Sequence, residues 1–325
     1  MCVPLLHLGY HKTATTWLQN AVFSDEDLGF ISPWGAQAGI AVDEFVLANP
    51  FRFNPTQARL RFEEGLANAR ERELVPVLSN EALCGQPVSG GRFAYGKVVL
   101  ERLHETFPDG KVLIVVREQR GALLSHYREY IANGFHAGLA RFIGGPVLPP
   151  GFAPDCPLDH FEYDGLVGHA QSLFGTDSVL VLPFEMLKEE RERFLAELYR
   201  FVGRPPRPVP DRPPERIGVK GLGLAFKKAC NRINFGQSDW ARPRQSISAR
   251  AVSKAAGWIE RLAPDAWQGA YEERLREYIE AQIGGRYAQS NARLENLTGL
   301  DLGHYGYALP SPDMPARQGS ARPVQ

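Results

Sequence analysis

The sequence of 325 residues predicts an α/β protein in three layers, with helices on both faces of a mostly parallel central sheet and a helical C-terminal part. Short apolar runs, typical of strands buried on both faces, occupy 4–9, 75–79, 111–116 and 178–183. Stretches with a helical pattern separate these runs. Strands that alternate with helices form a parallel sheet with right-handed crossovers, and this order predicts the fold class.

The elements between the strands follow from local signals. The first strand leads into a predicted helix at about 15–23, and residues 25–54 are expected to form mostly loop. Asn54 and Pro55 are suited to begin a helix, as its N-cap and its first helical residue. Asn133-Gly134 is suited to end the helix after the third run. Other helices are predicted at 94–106, at 158–173 and after residue 183.

Composition divides the chain into four predicted parts. Residues 1–203 are expected to form the α/β core. The Pro-rich run 204–215 cannot lie inside a helix and is predicted to be an extended connector. Residues 216–309 are expected to be helical and packed on the core. The polar stretch 310–325 is expected to be disordered.

Charge and cysteine content exclude several classes of protein. Lys plus Arg and Asp plus Glu both number 37, and this balance argues against general binding to nucleic acid or to a membrane surface. The four scattered cysteines form no C-x-x-C and indicate reduced thiols. No apolar run is long enough for a membrane span, and the first strand begins too early for a signal peptide. We therefore expect a cytoplasmic protein.

The segment from Gly9 to Trp17 joins the first strand to the first helix and predicts an anion site. The free N–H groups at a helix start, together with the helix dipole, attract negative charge. Lys12 adds a full positive charge, and Thr13, Thr15 and Thr16 add hydroxyl donors. A Walker A loop would have Gly directly before the Lys, so this is a different loop. The alternative is an ordinary helix start capped by Thr.

A second candidate element follows the strand 111–116. Arg117 stands at its carboxyl end, where ligands bind in open α/β sheets, and Ser125 follows on the next predicted helix. A guanidinium fits phosphate oxygens in a bidentate manner, and a Ser hydroxyl adds a neutral donor. The alternative is a surface ion pair of Arg117 with Glu118 or Glu129, with the Ser on a solvated helix face.

Both elements resemble known motifs of one enzyme family. The run from Lys12 to Leu18 resembles the 5′-phosphosulfate-binding loop of sulfotransferases that use 3′-phosphoadenosine-5′-phosphosulfate (PAPS), and Arg117 with Ser125 resembles their 3′-phosphate-binding element. Many members carry Gly in place of Ala14, which can still offer its N–H if its φ is negative. The family often has Asn-Pro where this chain has Glu118-Gln119. The resemblance is strongest over 4–25 and 111–128, is closest to bacterial, carbohydrate-type members, and implies a P-loop-like fold.

The resemblance implies PAPS as the sulfuryl donor, 3′,5′-ADP as the product, and no metal. It implies that Lys12 acts at the bridging oxygen and that Trp17 stacks on adenine, the alternative for Trp17 being a place in the core. The implied donor-binding residues are Lys12, Thr13, Ala14, Thr15, Thr16, Trp17, Arg117 and Ser125.

A base is needed to take the proton of the acceptor. Glu81 is the first candidate, because it ends the second run at the edge of the sheet where ligands bind. The alternative is a carboxylate that starts a helix or accepts structural hydrogen bonds. His11, beside the predicted anion site, is the second candidate, and His126 is the third.

The sequence thus predicts a cytoplasmic sulfotransferase that acts on a hydroxyl or amine of a small-molecule or glycan acceptor, and we expect a carbohydrate or glycolipid. It predicts no nucleic-acid partner and no membrane span. One alternative is a P-loop kinase or NTPase, which would need Mg²⁺ and an acidic residue at a strand end. Another is a nucleotide-binding module without catalysis.

Overall fold

A sheet of five parallel strands forms the centre of the described part of the chain, which comprises residues 3–85, 95–144, 156–210, 220–234 and 247–311 of the computed structural model. The strands are β1 (Leu5–Gly9), β2 (Phe30–Ile31), β3 (Val75–Ser79), β4 (Lys111–Val116) and β5 (Val179–Pro183). Their spatial order is β2-β3-β1-β4-β5. This sheet, with its many helices, confirms the predicted fold class.

Helices connect the strands and make up most of the chain after β5. Those described are α1 (Thr15–Leu18), α2 (Gly39–Ala41), α3 (Pro55–Glu71), α4 (Tyr95–Thr106), α5 (Gln119–Ala132), α6 (Leu139–Ile143), α7 (Tyr163–Phe174), α8 (Phe184–Glu189), α9 (Arg191–Val202), α10 (Gly221–Asn234), α11 (Ile247–Leu262), α12 (Asp265–Ile283) and α13 (Ala288–Thr298). Wider π-helical turns extend α1 over Gln19–Phe23 and α2 over Val42–Leu47. Short 3-10 turns lie at Glu26–Leu28, Pro50–Arg52, Glu81–Cys84, Leu158–Phe161 and Thr176–Ser178.

The predicted helix caps of α3 and α5 are confirmed. The side chain of Asn54 accepts a hydrogen bond of 3.0 Å from the N–H of Gln57, and Pro55 is the first helical residue. The helix α5 ends with Asn133 as its C-cap, and Gly134 follows with a φ of 98°. A positive φ is readily adopted only by Gly, so this residue lets the chain leave the helix sharply.

The strand β2 lies in a segment that was expected to be loop, and that expectation is wrong there. Phe30 and Ile31 are buried and pair with Val75 and Pro76. A strand of two residues is too short to show the alternation by which a strand is recognised in a sequence. The pairing with β3 therefore comes from tertiary contacts and not from a local pattern.

The strand order places β1 between β3 and β4, so three carboxyl ends meet at one edge of the sheet. His7 pairs in register with Ser79, and Gly9 pairs with Val115. The N–H of Tyr10 then donates to the carbonyl of Val115 over 3.3 Å and carries the contact past the strand end. The residues that follow β1, β3 and β4 are therefore brought close together.

The helices after β5 pack against α5. The side-chain amide of Asn231 on α10 donates to the carbonyls of Ile131 and Phe135, each over 2.8 Å, at the end of α5. Arg128, which lies on α5, forms an ion pair with Glu272 of α12. These contacts fix α10 and α12 against the second half of α5.

The first turn of α5 is held by residues from much later in the chain. Gln119 donates to the side chain of Asn291 over 2.6 Å. The carboxylate of Glu185 accepts from the N–H of Glu118 and from the hydroxyl of Tyr307, both over 3.2 Å. The start of α5 thus depends on α8, on α13 and on the segment that follows α13.

The division of the chain into domains stays a prediction. In the predicted connector, residues 204–210 contain no helix or strand, whereas 211–215 lie outside the described residues. Most of the predicted disordered tail, 312–325, also lies outside them. Among the described helices, none is sufficiently long and apolar to cross a membrane.

Candidate functional site

The loop after β1 has two residues in an unusual backbone conformation. Lys12 has a φ of 69° and Ala14 a φ of 61°, and both values lie in the left-handed region. Ala14 therefore does not meet the condition of a negative φ, and this geometry explains why a Gly would fit there. The left-handed conformation costs a residue with a Cβ about 1–2 kcal/mol. Such strain is concentrated at ligand sites, and turns of this kind direct successive N–H groups toward an anion.

The loop lies very close to the end of β1. A Cβ on Gly9 would stand 2.3 Å from the hydroxyl oxygen of Thr15 and 2.9 Å from Nε2 of His7. These distances exclude any side chain at position 9. The absence of a Cβ therefore allows the start of α1 to lie directly over the strand.

The three Thr side chains of the loop have different environments. The buried hydroxyl of Thr13 donates to the carbonyl of Tyr10 over 2.5 Å and closes the turn. Thr15 is also buried, and its hydroxyl oxygen lies 3.4 Å from that of Thr13. Thr16 is half-buried at the helix start. Of the three hydroxyls, that of Thr16 is the most accessible to a ligand, and that of Thr13 holds the loop in shape.

Lys12 is paired with a residue outside the predicted site. Its ammonium lies 2.7 Å from a carboxylate oxygen of Glu129 on α5, and about a third of each side chain is exposed (32% and 36%). Glu129 had been considered only as an ion-pair partner of Arg117. Its position one turn after Ser125 on α5 was the available signal, because residues four apart share a helix face.

Arg117 contacts the loop and not the carboxylates proposed as its alternative partners. Its guanidinium donates to the carbonyl of Lys12 over 2.8 Å and lies 4.7 Å from the centre of the Phe184 ring. Glu118 instead accepts from the N–H groups of Arg120 and Gly121 at the start of α5. Burial lowers the pKa of Arg117, and nearby carboxylates oppose this shift. An Arg keeps its charge in proteins, so a half-buried cation lies directly against the loop.

Ser125 lies half-buried on α5, in the second turn of the helix. Its helix begins immediately after Arg117, and its hydroxyl is on the same side as Glu129 because the two residues are four apart. Ser125 therefore shares a face of α5 with Glu129, the partner of Lys12, while Arg117 itself is joined to the loop by the carbonyl of Lys12.

Glu81 and His11 face each other across the same edge of the sheet. Glu81 begins a 3-10 turn after β3, and the side chain of Asn80 caps this turn by accepting from the N–H of Ala82 over 2.9 Å. Nε2 of His11 lies 3.9 Å from a carboxylate oxygen of Glu81. The structure thus brings the first two candidate bases together.

Burial shifts the proton affinity of both groups toward the neutral form. It raises the pKa of Glu81, against the opposing effect of the Lys12 charge. It lowers the pKa of His11 to about 4, with Glu129 raising it and Lys12 lowering it further. At neutral pH His11 is therefore uncharged. A carboxylate with a raised pKa accepts a proton more readily than an ordinary one, as a general base requires.

The remaining predicted residues are more deeply buried. His126 has no exposed surface, and its ring centre lies 5.8 Å from that of His11. It is therefore buried next to His11 and is not accessible to an acceptor in this structure. Trp17 is 9% exposed and packs in the hydrophobic core, with the guanidinium of Arg191 lying 5.5 Å from its ring. This favours the core role of Trp17, and the stacking of this ring on adenine stays a prediction.

No group of three or more His, Cys, Asp or Glu side chains within the described ranges has the arrangement of a metal site.

Comparison with solved structures relates this fold to sulfotransferases. The sulfotransferase from Alicyclobacillus acidocaldarius aligns with a TM-score of 0.55 and 14% identity, over 94% of this chain and 100% of that chain. The sulfotransferase domain from the curacin biosynthetic pathway aligns with a TM-score of 0.36 and 11% identity, over 79% of this chain and 98% of that chain, and a score this low carries no weight. No protein-family model and no curated protein matches the sequence. The first similarity shows that the chain has the fold of a sulfotransferase.

Proposed function

We propose that this protein is a PAPS-dependent sulfotransferase. The observation that carries the proposal is the convergence of a cation, a carboxylate and a strained loop at one edge of the sheet. Lys12 stands in the loop, Arg117 donates to the Lys12 carbonyl over 2.8 Å, and the Glu81–His11 pair lies beside them at 3.9 Å. The resemblance of the two motifs and the fold support the same activity.

The loop and the helix start would hold the donor. The N–H groups at the start of α1 and the Thr16 hydroxyl are suited to the 5′-phosphate and sulfuryl oxygens. Lys12 would stabilise charge on the bridging oxygen, and this requires that its ammonium leave Glu129 or be shared with it. Arg117 and Ser125 would bind the 3′-phosphate. Little covalent work is needed, because transfers of this type depend on positioning and electrostatic stabilisation.

Glu81 would act as the general base. As the acceptor oxygen bonds to sulfur, its proton passes to the Glu81 carboxylate. The bond between sulfur and the bridging oxygen breaks, and its electron pair stays on the 5′-phosphate, where Lys12 offsets the new charge. His11 is uncharged at neutral pH because burial lowers its pKa to about 4. Its Nε2 lies 3.9 Å from the Glu81 carboxylate, so it would donate a hydrogen bond and orient Glu81 only after the two groups move closer in the ligand complex.

The acceptor class follows from the proposed base and from the resemblance of the motifs. A hydroxyl or amine of a small molecule or glycan fits a carboxylate base, and the resemblance favours a carbohydrate or a glycolipid. A P-loop kinase is disfavoured by the loop itself, since His11 stands where a Walker A loop has Gly.

Calorimetric titration with 3′,5′-ADP, with 5′-AMP as the comparison ligand and EDTA throughout, tests the donor assignment. We expect 3′,5′-ADP to bind at least about tenfold more tightly, because the 3′-phosphate adds charge-assisted hydrogen bonds. Equal binding of the two ligands would contradict the proposal. Binding of ATP only in the presence of Mg²⁺ would favour the kinase alternative.

A further inference from the structure

Three imidazoles, including that of His11 from the Glu81–His11 pair, form a buried cluster. This imidazole cluster consists of His11, His126 and His160, of which His126 is 0% and His160 5% exposed. Nδ1 of His11, both ring nitrogens of His126 and Nε2 of His160 are buried and lack a hydrogen-bond partner within the described part of the chain. Such a concentration of unpartnered polar atoms needs a physical explanation.

Aromatic rings hold the cluster in place. The ring centre of His126 lies 5.8 Å from that of His11 and 5.4 Å from that of Phe161. His160 contacts the same Phe161 ring at 5.2 Å and the ring of Tyr10 at 4.9 Å. These rings cannot satisfy the imidazoles, because their contacts with the His side chains are ring packing and not hydrogen bonds to nitrogen.

The histidines are uncharged, so each offers one donor and one acceptor. Burial is the main cause of the lowered pKa of all three, and the neighbouring charges of Lys12 and Arg117 lower the pKa of His126 further. Glu129 acts in the opposite direction on His11. A group with both a donor and an acceptor, and with no protein partner, is well suited to bind water.

Buried water typically makes about three hydrogen bonds, and it occupies polar sites where protein groups leave a gap. Three separate residues of the cluster supply free nitrogens here. Ring centres 5.8 Å apart leave His11 and His126 without a direct bond, and a single water with bonds of about 2.8–3.0 Å on each side can bridge them.

We propose that the imidazole cluster is an internal water site, and that His126 acts through this water as a positioning residue for His11. The water donates to Nδ1 of His11. That ring then carries its proton on Nε2, which faces the Glu81 carboxylate at 3.9 Å. The water site rests on geometry alone, whereas its effect on catalysis rests on the proposed sulfotransferase function.

The direct test is ¹⁵N NMR of the histidine side chains in the full-length protein at neutral pH. In the wild type we expect His11 to populate one tautomer, with the proton on Nε2. In His126→Phe, which keeps an aromatic ring and removes both nitrogens, the His11 signals should move toward the average of the two tautomers. His104→Phe is the matched control, since His104 packs against Phe174 away from the cluster, at 5.0 Å between ring centres.

Kinetics supply a readout that a merely structural role would not give. We expect His126→Phe to lower kcat about tenfold or more while KM changes little, because a misplaced base slows the reaction and does not alter binding. His126→Gln, which restores a donor and an acceptor, should recover part of the loss. His126→Leu, which also lacks ring nitrogens, is the test variant if His126→Phe does not fold.

Two results would overturn the inference. One is an unchanged His11 tautomer in His126→Phe or, if that variant does not fold, in His126→Leu. The other is a high-resolution crystal structure in which the cluster contains no water. Failure of the proposed function is distinguishable, because 3′,5′-ADP would then fail to bind the wild type while the NMR result for His11 would stand.

Discussion

The guanidinium of Arg117 donates to the carbonyl oxygen of Lys12 over 2.8 Å, so that the end of β4 supports the loop that follows β1. Since Lys12 has a left-handed backbone, this hydrogen bond helps to hold a strained conformation. Arg117 therefore has a structural task in addition to its predicted contact with the 3′-phosphate.

Arg117→Ala should weaken the binding of both 5′-AMP and 3′,5′-ADP, but by different factors. Loss of the support at the Lys12 carbonyl should reduce 5′-AMP binding moderately. Loss of a charged hydrogen bond to the 3′-phosphate should reduce 3′,5′-ADP binding by about a further tenfold or more. Calorimetry on the variant and on Arg193→Ala, which removes an exposed pair with Glu190, measures the two effects. An equal loss for both ligands would leave Arg117 with only its supporting role.

Lys12→Ala should reduce turnover by about 10²–10³-fold, because removal of one stabilising group from the developing charge has effects of this size. Binding of 3′,5′-ADP should change much less. Single-turnover kinetics with PAPS and saturating acceptor would measure the effect. A variant with normal turnover would remove Lys12 from the mechanism.

Glu129→Gln should strengthen the binding of 3′,5′-ADP, whereas Arg117→Ala should weaken it. The carboxylate now pairs with the ammonium of Lys12 at 2.7 Å and competes with an anionic donor for it. Its neutralisation should tighten 3′,5′-ADP binding by a few fold at low salt, and less at high salt because exposed charges are screened. Titrations at two ionic strengths test this, with Glu63→Gln on the exposed surface of α3 as the control. Weaker binding in Glu129→Gln would mean that the pair positions Lys12 for the ligand.

Ala14→Gly should stabilise the protein. The substitution removes the left-handed penalty at a φ of 61°, and after the added flexibility of the unfolded chain the net gain should be about 1 kcal/mol or less. The matched control is Ala67→Gly in the middle of α3, which should lose about 1 kcal/mol. Urea denaturation measures both free energies of unfolding. Shifts of the same sign in the two variants would show that the loop stores no strain at Ala14.

Stability should fall as the pH is lowered below about 6.5, the ordinary pKa of His in an unfolded chain. Burial lowers the pKa of His7 to about 3, of His11 to about 4 and of His160 to about 3. Their stabilising effect is complete above the unfolded pKa. It is lost as pH falls toward the folded values, at up to about 1.4 kcal/mol per pH unit for each His.

Urea denaturation between about pH 7 and about pH 4 checks this pH dependence. His160→Gln should show a shallower dependence than the wild type, because one proton fewer is taken up on unfolding. Leu60→Gln, at an exposed position of α3 and without an ionisable group, is the control and should keep the wild-type slope. If His160→Gln kept that slope as well, His160 would not be held neutral in the folded protein.

The parts of the site that lie next to strand ends could be predicted from the sequence. Lys12, Glu81 and Arg117 each follow an apolar run, and parallel pairing necessarily brings such positions to one edge. The role of Glu129 could not be predicted in this way. Its spacing from Ser125 indicates only that the two residues share a face of α5. Its pairing with Lys12 depends on how that helix packs against the loop, and the sequence pattern does not give this packing.

The state of the histidines also required the fold. The sequence names His126 only as a third candidate base and does not single out His160, and only the packing around Phe161 makes the two residues neighbours. The left-handed φ of Ala14 was likewise not evident, because Ala has no preference for that conformation and adopts it here under the constraint of the loop.

The hydrogen bond between Gln119 and Asn291 joins residues 172 positions apart, and it has a consequence for biosynthesis. When α5 leaves the ribosome, the residues that complete its first turn have not yet been translated. The start of α5, which follows Arg117, therefore stays incomplete on the nascent chain until Asn291 and Tyr307 have been added. A ribosome stalled before these codons should carry a sheet that has formed and a ligand site that has not.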